Sequence, residues 1–138
     1  MGLDLGETWT GVAFSDPTET VAIPTTVLDT RNEAVFLSSL MDLVEQNQVE
    51  RVLVGLPLSM DGAPRRQARW VKGMQKKIAD YLGLPVDTWD ERLSTAAAQR
   101  QLKEANVKRD DMCLVENSTA AAFILQGYLN RRKMQQKR

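Results

Sequence analysis

The chain has 138 residues, with 18 basic and 18 acidic side chains and a net charge of zero. One domain with its own core is expected at this length, and the neutral total excludes a uniformly basic nucleic-acid binder. There is no histidine and a single cysteine, Cys113. This excludes a Ser–His–Asp triad, His-ligated zinc and an internal disulfide, so hydrolysis has to rest on carboxylates, metal ions or lysine.

Met1 to Ser15, MGLDLGETWTGVAFS, reads as two short strands around a polar turn. Asp4 is the one carboxylate in the first strand, and burying it is costly unless something positive meets it. It is read either as a structural Asp bonded to turn amides or as part of a metal or phosphate site at a strand end. Val21 to Leu28 reads as a third strand, which Pro24 sends to an edge or a bulge. Thr30 and Glu33 have the spacing of a capping box. The helix they begin carries an apolar stripe of Phe36, Leu40, Leu43 and Val44 and ends over Gln46 to Gln48. Arg51 to Leu56 reads as a buried parallel strand, and Pro57 to Ala63 as a loop that turns at Asp61-Gly62.

A second helix is predicted from Pro64 to Leu82, with Gly83 as its stop. Arg65, Arg69, Lys72 and Lys76 share one face and Val71, Met74, Ile78 and Leu82 the other. Six basic residues and no acidic one lie between Asp61 and Asp80. The basic stripe is either a solvated face or a phosphate contact. Val86 to Trp89 reads as a strand closed by Asp90-Glu91-Arg92, which is either an ion pair at a loop or a site. A short helix follows from Ser94 or Thr95 to Ala105, then a polar surface loop over Asn106 to Leu114. The last helix is expected from Val115 past Leu129, with Asn117, Ala121, Ile124 and Tyr128 on one face. The basic stretch 131–138 lacks apolar anchors and is expected to fray. No run of about 18 apolar residues is present to span a membrane. Nothing reads as a signal peptide, and the lone cysteine fits a reducing, cytoplasmic setting.

Strands first, then helices alternating with strands, predict an α/β domain over 1–130 with a mixed sheet. The ends of three elements carry polar groups: Asp4, Asp90/Glu91 and Glu116/Asn117. If the first strand is central, these can converge and hold one or two Mg²⁺ or Mn²⁺ ions, which would clamp the oxygens of a phosphodiester displacement.

LDLGETWTGVAFSD, VLVGLPLSMDG, VDTWDERLSTAAA and STAAAFILQGYL, in this order, resemble the four signature blocks of the YqgF (RuvX) family, also described as Holliday-junction-resolvase-like proteins or pre-16S ribosomal RNA nucleases. The resemblance covers nearly the whole chain. It implies a ribonuclease H-like fold, with a five-stranded mixed sheet flanked by helices. It also implies a metal-dependent nuclease acting on an rRNA precursor or branched DNA, as a monomer or homodimer and with no membrane partner. By resemblance, Asp4 matches the family's first-strand aspartate, Asp90 and Glu91 its acidic pair, and Asp61 the aspartate of its loop motif. Asp4, Asp90 and Glu91 are then metal ligands, with Arg65, Arg69, Lys72, Lys76 and Arg92 toward the substrate.

The family's final aspartate falls on Asn117, which has the shape of Asp without the charge. Glu116 projects about 100° away around the helix. Glu7-Thr8 also departs from the family's Thr or Ser followed by a basic residue, and only three residues precede Asp4. A second reading follows from Asn117: a nucleic-acid-binding ribosome-maturation factor with a metal site too weak for turnover. A third takes the first turn as the phosphate loop of actin-like ATPases, but those enzymes need two such domains and this chain has length for one.

Overall fold

The alternating apolar residues at the start of the chain fold as a hairpin, β1 (Gly2–Asp4) and β2 (Trp9–Ser15). The structure, a computed structural model, describes residues 1–57, 66–91 and 112–136. Asp61, Arg65 and Arg92 lie outside the described residues, as do the Glu116 side chain, the helix expected over 94–105 and most of the expected loop over 106–114.

β3 (Ala22–Asp29) pairs antiparallel with β2, while β4 (Val52–Leu56) runs parallel to β1 and β5 (Val86–Asp90) parallel to β4. The order β3-β2-β1-β4-β5 makes the sheet mixed, with β1 at its centre. β4, with all five residues buried, is a covered parallel strand as its apolar run predicts. Pro24 sits on the β3 edge beside a register shift, where the missing N–H costs no ladder bond.

Helix α1 (Glu33–Asn47) buries Phe36, Leu37, Leu40 and Val44. Helix α2 (Arg66–Leu82) buries Ala68, Val71, Met74, Ile78 and Leu82. Both cover the sheet face carrying Leu3, Val12, Val52 and Val54, which forms the larger core. Gly83 ends α2 at φ +67, a backbone region where a side chain is strained. The cap of α1 is Asn32, whose Oδ1 accepts from the Val35 N–H at 3.2 Å. Thr30 is not the cap that its spacing to Glu33 predicts. Its hydroxyl is buried against that of Thr10 at 2.7 Å, and its N–H donates to the Thr8 carbonyl at 2.9 Å, so it ties the hairpin instead. Glu33 pairs with Lys77 of α2 at 2.8 Å.

Helix α3 (Met112–Gln136) covers the opposite face with Ala121, Ala122, Ile124, Leu125 and Leu129. It begins three residues before the expected Val115. It also continues to Gln136, so 131–136 are helical where fraying is expected. Two basic residues near its end find partners: Arg132 pairs with Glu19 at 3.3 Å, and the Arg131 guanidinium lies 5.9 Å from the Trp89 ring centre. Gln126 is fully buried and latches α3 to the second hairpin. Its Oε1 accepts from the Ala22 N–H at 2.9 Å, and its Nε2 donates to the Thr20 carbonyl at 2.9 Å.

Candidate functional site

Parallel strands in one sheet bring their carboxyl ends to the same edge. β1 ends at Asp4 and β5 at Asp90, with Glu91 next, and β4 lies between them. Glu91 nonetheless reaches Asp4, and their carboxyl groups share a hydrogen bond. The path is open because the intervening residue of β4 is Gly55. A Cβ there would stand 2.7 Å from Glu91 Oε1 and 2.3 Å from Ile124 Cδ1. Both distances are shorter than real Cβ contacts, so a side chain at position 55 would push the ends of Glu91 and Ile124 aside, and glycine leaves the Asp4–Glu91 contact undisturbed.

The second close approach brings in Asn117. Asp4 is paired with Gly11 of β2, and a Cβ on Gly11 would fall 1.8 Å from the Asn117 carbonyl oxygen. The early part of α3 therefore rests directly on the strand beside Asp4. Asp4 and Glu91 meet, and the Asn117 backbone passes over the strand next to Asp4. Asp90 is placed differently: its register partner is Leu56, which belongs to the core under α1 and α2. Strand alternation thus assigns Asp90 to the sheet face away from Asp4, and it acts on Glu91 through its charge.

Two carboxylates pressed together cannot both ionise cheaply. Burial, then the Asp4 charge and hydrogen bond, then Asp90, push the Glu91 carboxyl up from 4.5 to about 7. Burial also raises Asp4, while its hydrogen bond to Glu91 acts the other way. Without a cation the pair resists carrying two full negative charges. Its all-oxygen donor set suits a hard divalent ion such as Mg²⁺ or Mn²⁺. Among the described residues no three acidic, His or Cys side chains form a metal cage.

Arg69, Lys72 and Lys76 are exposed on α2 and have no acidic partner among the described residues. They lie on the α2 layer, across the sheet from the carboxylate pair. Because α2 runs back against β4, Arg69 is the nearest of them to the carboxylate edge. A groove of about 720 Å³ lies at the other end of the sheet, beside Met1, Ser15, Arg51 and Arg132, remote from this chemistry. Gly11, Gly55 and Gln126 are the residues that sequence reasoning misses. Their only signal is the absence of a side chain in two strands and one polar residue inside an apolar helix face.

A five-stranded mixed sheet in the order β3-β2-β1-β4-β5, with carboxylates at the carboxyl ends of β1 and β5, has the ribonuclease H-like fold. The same architecture recurs in RuvC of T. thermophilus bound to a Holliday junction substrate, with a TM-score of 0.68 and 15% identity over 97% of this chain and 94% of that one. Thermus thermophilus RuvC in a second structure gives a TM-score of 0.64, also at 15% identity, over 96% and 95% of the two chains. Within that class, the chain belongs to the RuvX family, described as Holliday junction resolvase, which it matches over residues 1–131. It is 44% identical to a protein of Moorella thermoacetica named "Putative pre-16S rRNA nuclease", over 95% of this chain and 94% of the relative. A relative of the same name from Desulforamulus reducens is 40% identical over 94% and 95%. No helix among the described residues is long and apolar enough to cross a membrane.

Proposed function

We propose that this chain is a divalent-metal-dependent endonuclease that hydrolyses phosphodiester bonds in structured nucleic acid, in the cytoplasm. Its substrate is an rRNA precursor, as the relatives' name suggests, or a four-way DNA junction. The observation that carries this reading is the contact of Glu91 with Asp4 across Gly55. A structural role would favour pairing each carboxylate with a donor or a cation, whereas among the described residues these two face each other. Asp4 and Glu91 hold the ion, and Asp90 adds negative charge from behind. Bound Mg²⁺ or Mn²⁺ supplies a Lewis acid at the phosphoryl oxygen and a more acidic water. Asn117 positions the scissile phosphate but brings no charge, so a second ion is weakly held and turnover is slow. Arg69, Lys72 and Lys76, with Arg65 and Arg92, grip the flanking phosphates.

The test is cleavage of a precursor rRNA fragment and of a four-way junction, in Mg²⁺ and in Mn²⁺, by the protein, Asp4→Asn and Asn117→Asp. Slow cutting by the protein is expected, no cutting by Asp4→Asn, and cutting at least roughly tenfold faster by Asn117→Asp, a barrier change of about 1.4 kcal/mol. Undiminished cutting by Asp4→Asn refutes the reading. Binding without cutting by all three would leave a ribosome-maturation factor of the same fold.

A further inference from the structure

Trp9 is the first residue of β2 and is 48% exposed. Strand alternation puts it on the same sheet face as Gly11, which pairs with Asp4. Trp9 is therefore a diagonal neighbour of Asp4, about 7–8 Å away between Cα atoms. Single exposed tryptophans are common on protein surfaces, but this one is held. The Arg31 guanidinium lies 5.8 Å from its ring centre. Arg31 is itself fixed by Asp29, the residue paired with Trp9 in the ladder. Its Nε donates to Asp29 Oδ1 at 3.0 Å, its terminal nitrogen to Oδ2 at 2.6 Å and its backbone N–H to Oδ1 at 2.9 Å. The Thr10–Thr30 hydroxyl pair and the Thr30 to Thr8 backbone bond clamp the same strand ends. The result is a flat indole and a planar cation, pre-organised at the rim of the carboxylate site.

Charge decides what this platform takes. Arg31 is already neutralised by Asp29, and Glu7 is exposed two residues before Trp9. A phosphate gains little here, while a neutral aromatic ring gains the stacking area. A base within a duplex has both faces covered by its neighbours, so an unpaired base is the ligand that fits. Resting on the nuclease reading above, we infer that Trp9, backed by Arg31 and Asp29, stacks an unpaired nucleobase next to the scissile phosphate and so selects substrates with a single-stranded nucleotide at that position.

The test uses fluorescence anisotropy in EDTA, which blocks cleavage. The titrants are a labelled single-stranded RNA oligonucleotide and the fully paired duplex of the same sequence. Trp9→Ala is expected to weaken single-strand binding roughly tenfold and leave duplex binding within about twofold. Trp9→Phe should keep most of the affinity and Arg31→Ala lose part of it. Abasic substitution along the oligonucleotide should find one position whose loss matches that of Trp9→Ala and does not add to it. Equal weakening for single strand and duplex, or no weakening, overturns the inference. A protein that cuts its substrate but is indifferent to Trp9→Ala loses this inference alone. One that neither binds nor cuts any of these nucleic acids loses the nuclease reading with it.

Discussion

Adding one methyl group at Gly55 separates the candidate site from the fold that carries it. The new Cβ of Gly55→Ala lies 2.3 Å from Ile124 Cδ1 and 2.7 Å from Glu91 Oε1, so both neighbours have to move. Overpacking of this kind costs about 1–3 kcal/mol, a fall in Tm of about 3–10 °C for a chain of this size. Moving the Glu91 oxygen away from the new Cβ is expected to draw the carboxylate off Asp4. Mn²⁺ affinity by calorimetry and cleavage rate should each fall at least roughly tenfold, about 1.4 kcal/mol. The double variant Gly55→Ala/Ile124→Val removes the Cδ1 clash and should recover most of the Tm while Mn²⁺ binding stays weak. Wild-type Mn²⁺ affinity in Gly55→Ala would refute the argument that this glycine exists to let Glu91 through.

Three further outcomes follow from the same geometry. Glu91, raised from 4.5 to about 7, stabilises the metal-free fold below about pH 4.5 and loses that contribution as pH rises through about 7. The Met1 amine, lowered from 8.0 to about 6 by burial, acts oppositely between pH 6 and 8. The Glu91 share is therefore read as the difference between the protein and Glu91→Gln in urea unfolding from pH 5 to 8. It should reach about 1–2 kcal/mol once solvent screening is allowed for, and a difference that is flat with pH contradicts it. Replacing Arg69, Lys72 and Lys76 by Ala should lower the slope of log affinity against log salt by roughly 0.7 to 0.9 per lost phosphate contact; an unchanged slope returns this face to plain solvation. Gln126→Ala leaves the buried Ala22 N–H and the half-buried Thr20 carbonyl without their partner and should cost about 1–3 kcal/mol by denaturant unfolding. A loss below about 0.5 kcal/mol would mean that this latch holds nothing.

The strand order was legible because its signals are local. Pro24 marks the edge, the run Val52–Leu56 marks the buried parallel strand, and the Asp4 and Asp90-Glu91 ends follow from where those strands stop. What stayed hidden depends on register. That Gly55 stands between Glu91 and Asp4, or that Gly11 receives the Asn117 backbone, appears only when strands from distant parts of the chain are aligned. The α1 cap was misplaced because Thr30 fits a capping box by spacing, while its hydroxyl is used by Thr10 across the hairpin. The full length of α3 is not legible in the sequence, because its end has no apolar anchors and is held instead by Arg132 with Glu19 and by Arg131 against Trp89.

The meeting of Asp4 with Glu91 also sets when activity can first exist. One carboxylate enters the ribosome tunnel almost at once and the other only after β4 and α2 have been made. Closing so long a loop is entropically slow, and in the folded sheet Glu91 is brought to Asp4 by the pairing of β5 with β4. A half-made or partly unfolded chain can bury its first hairpin and α1 and still hold no paired carboxylates. The proposed nuclease chemistry would then stay silent until the sheet is finished, and refolding followed by cleavage should show activity appearing with the last structural phase, after the hairpin has formed.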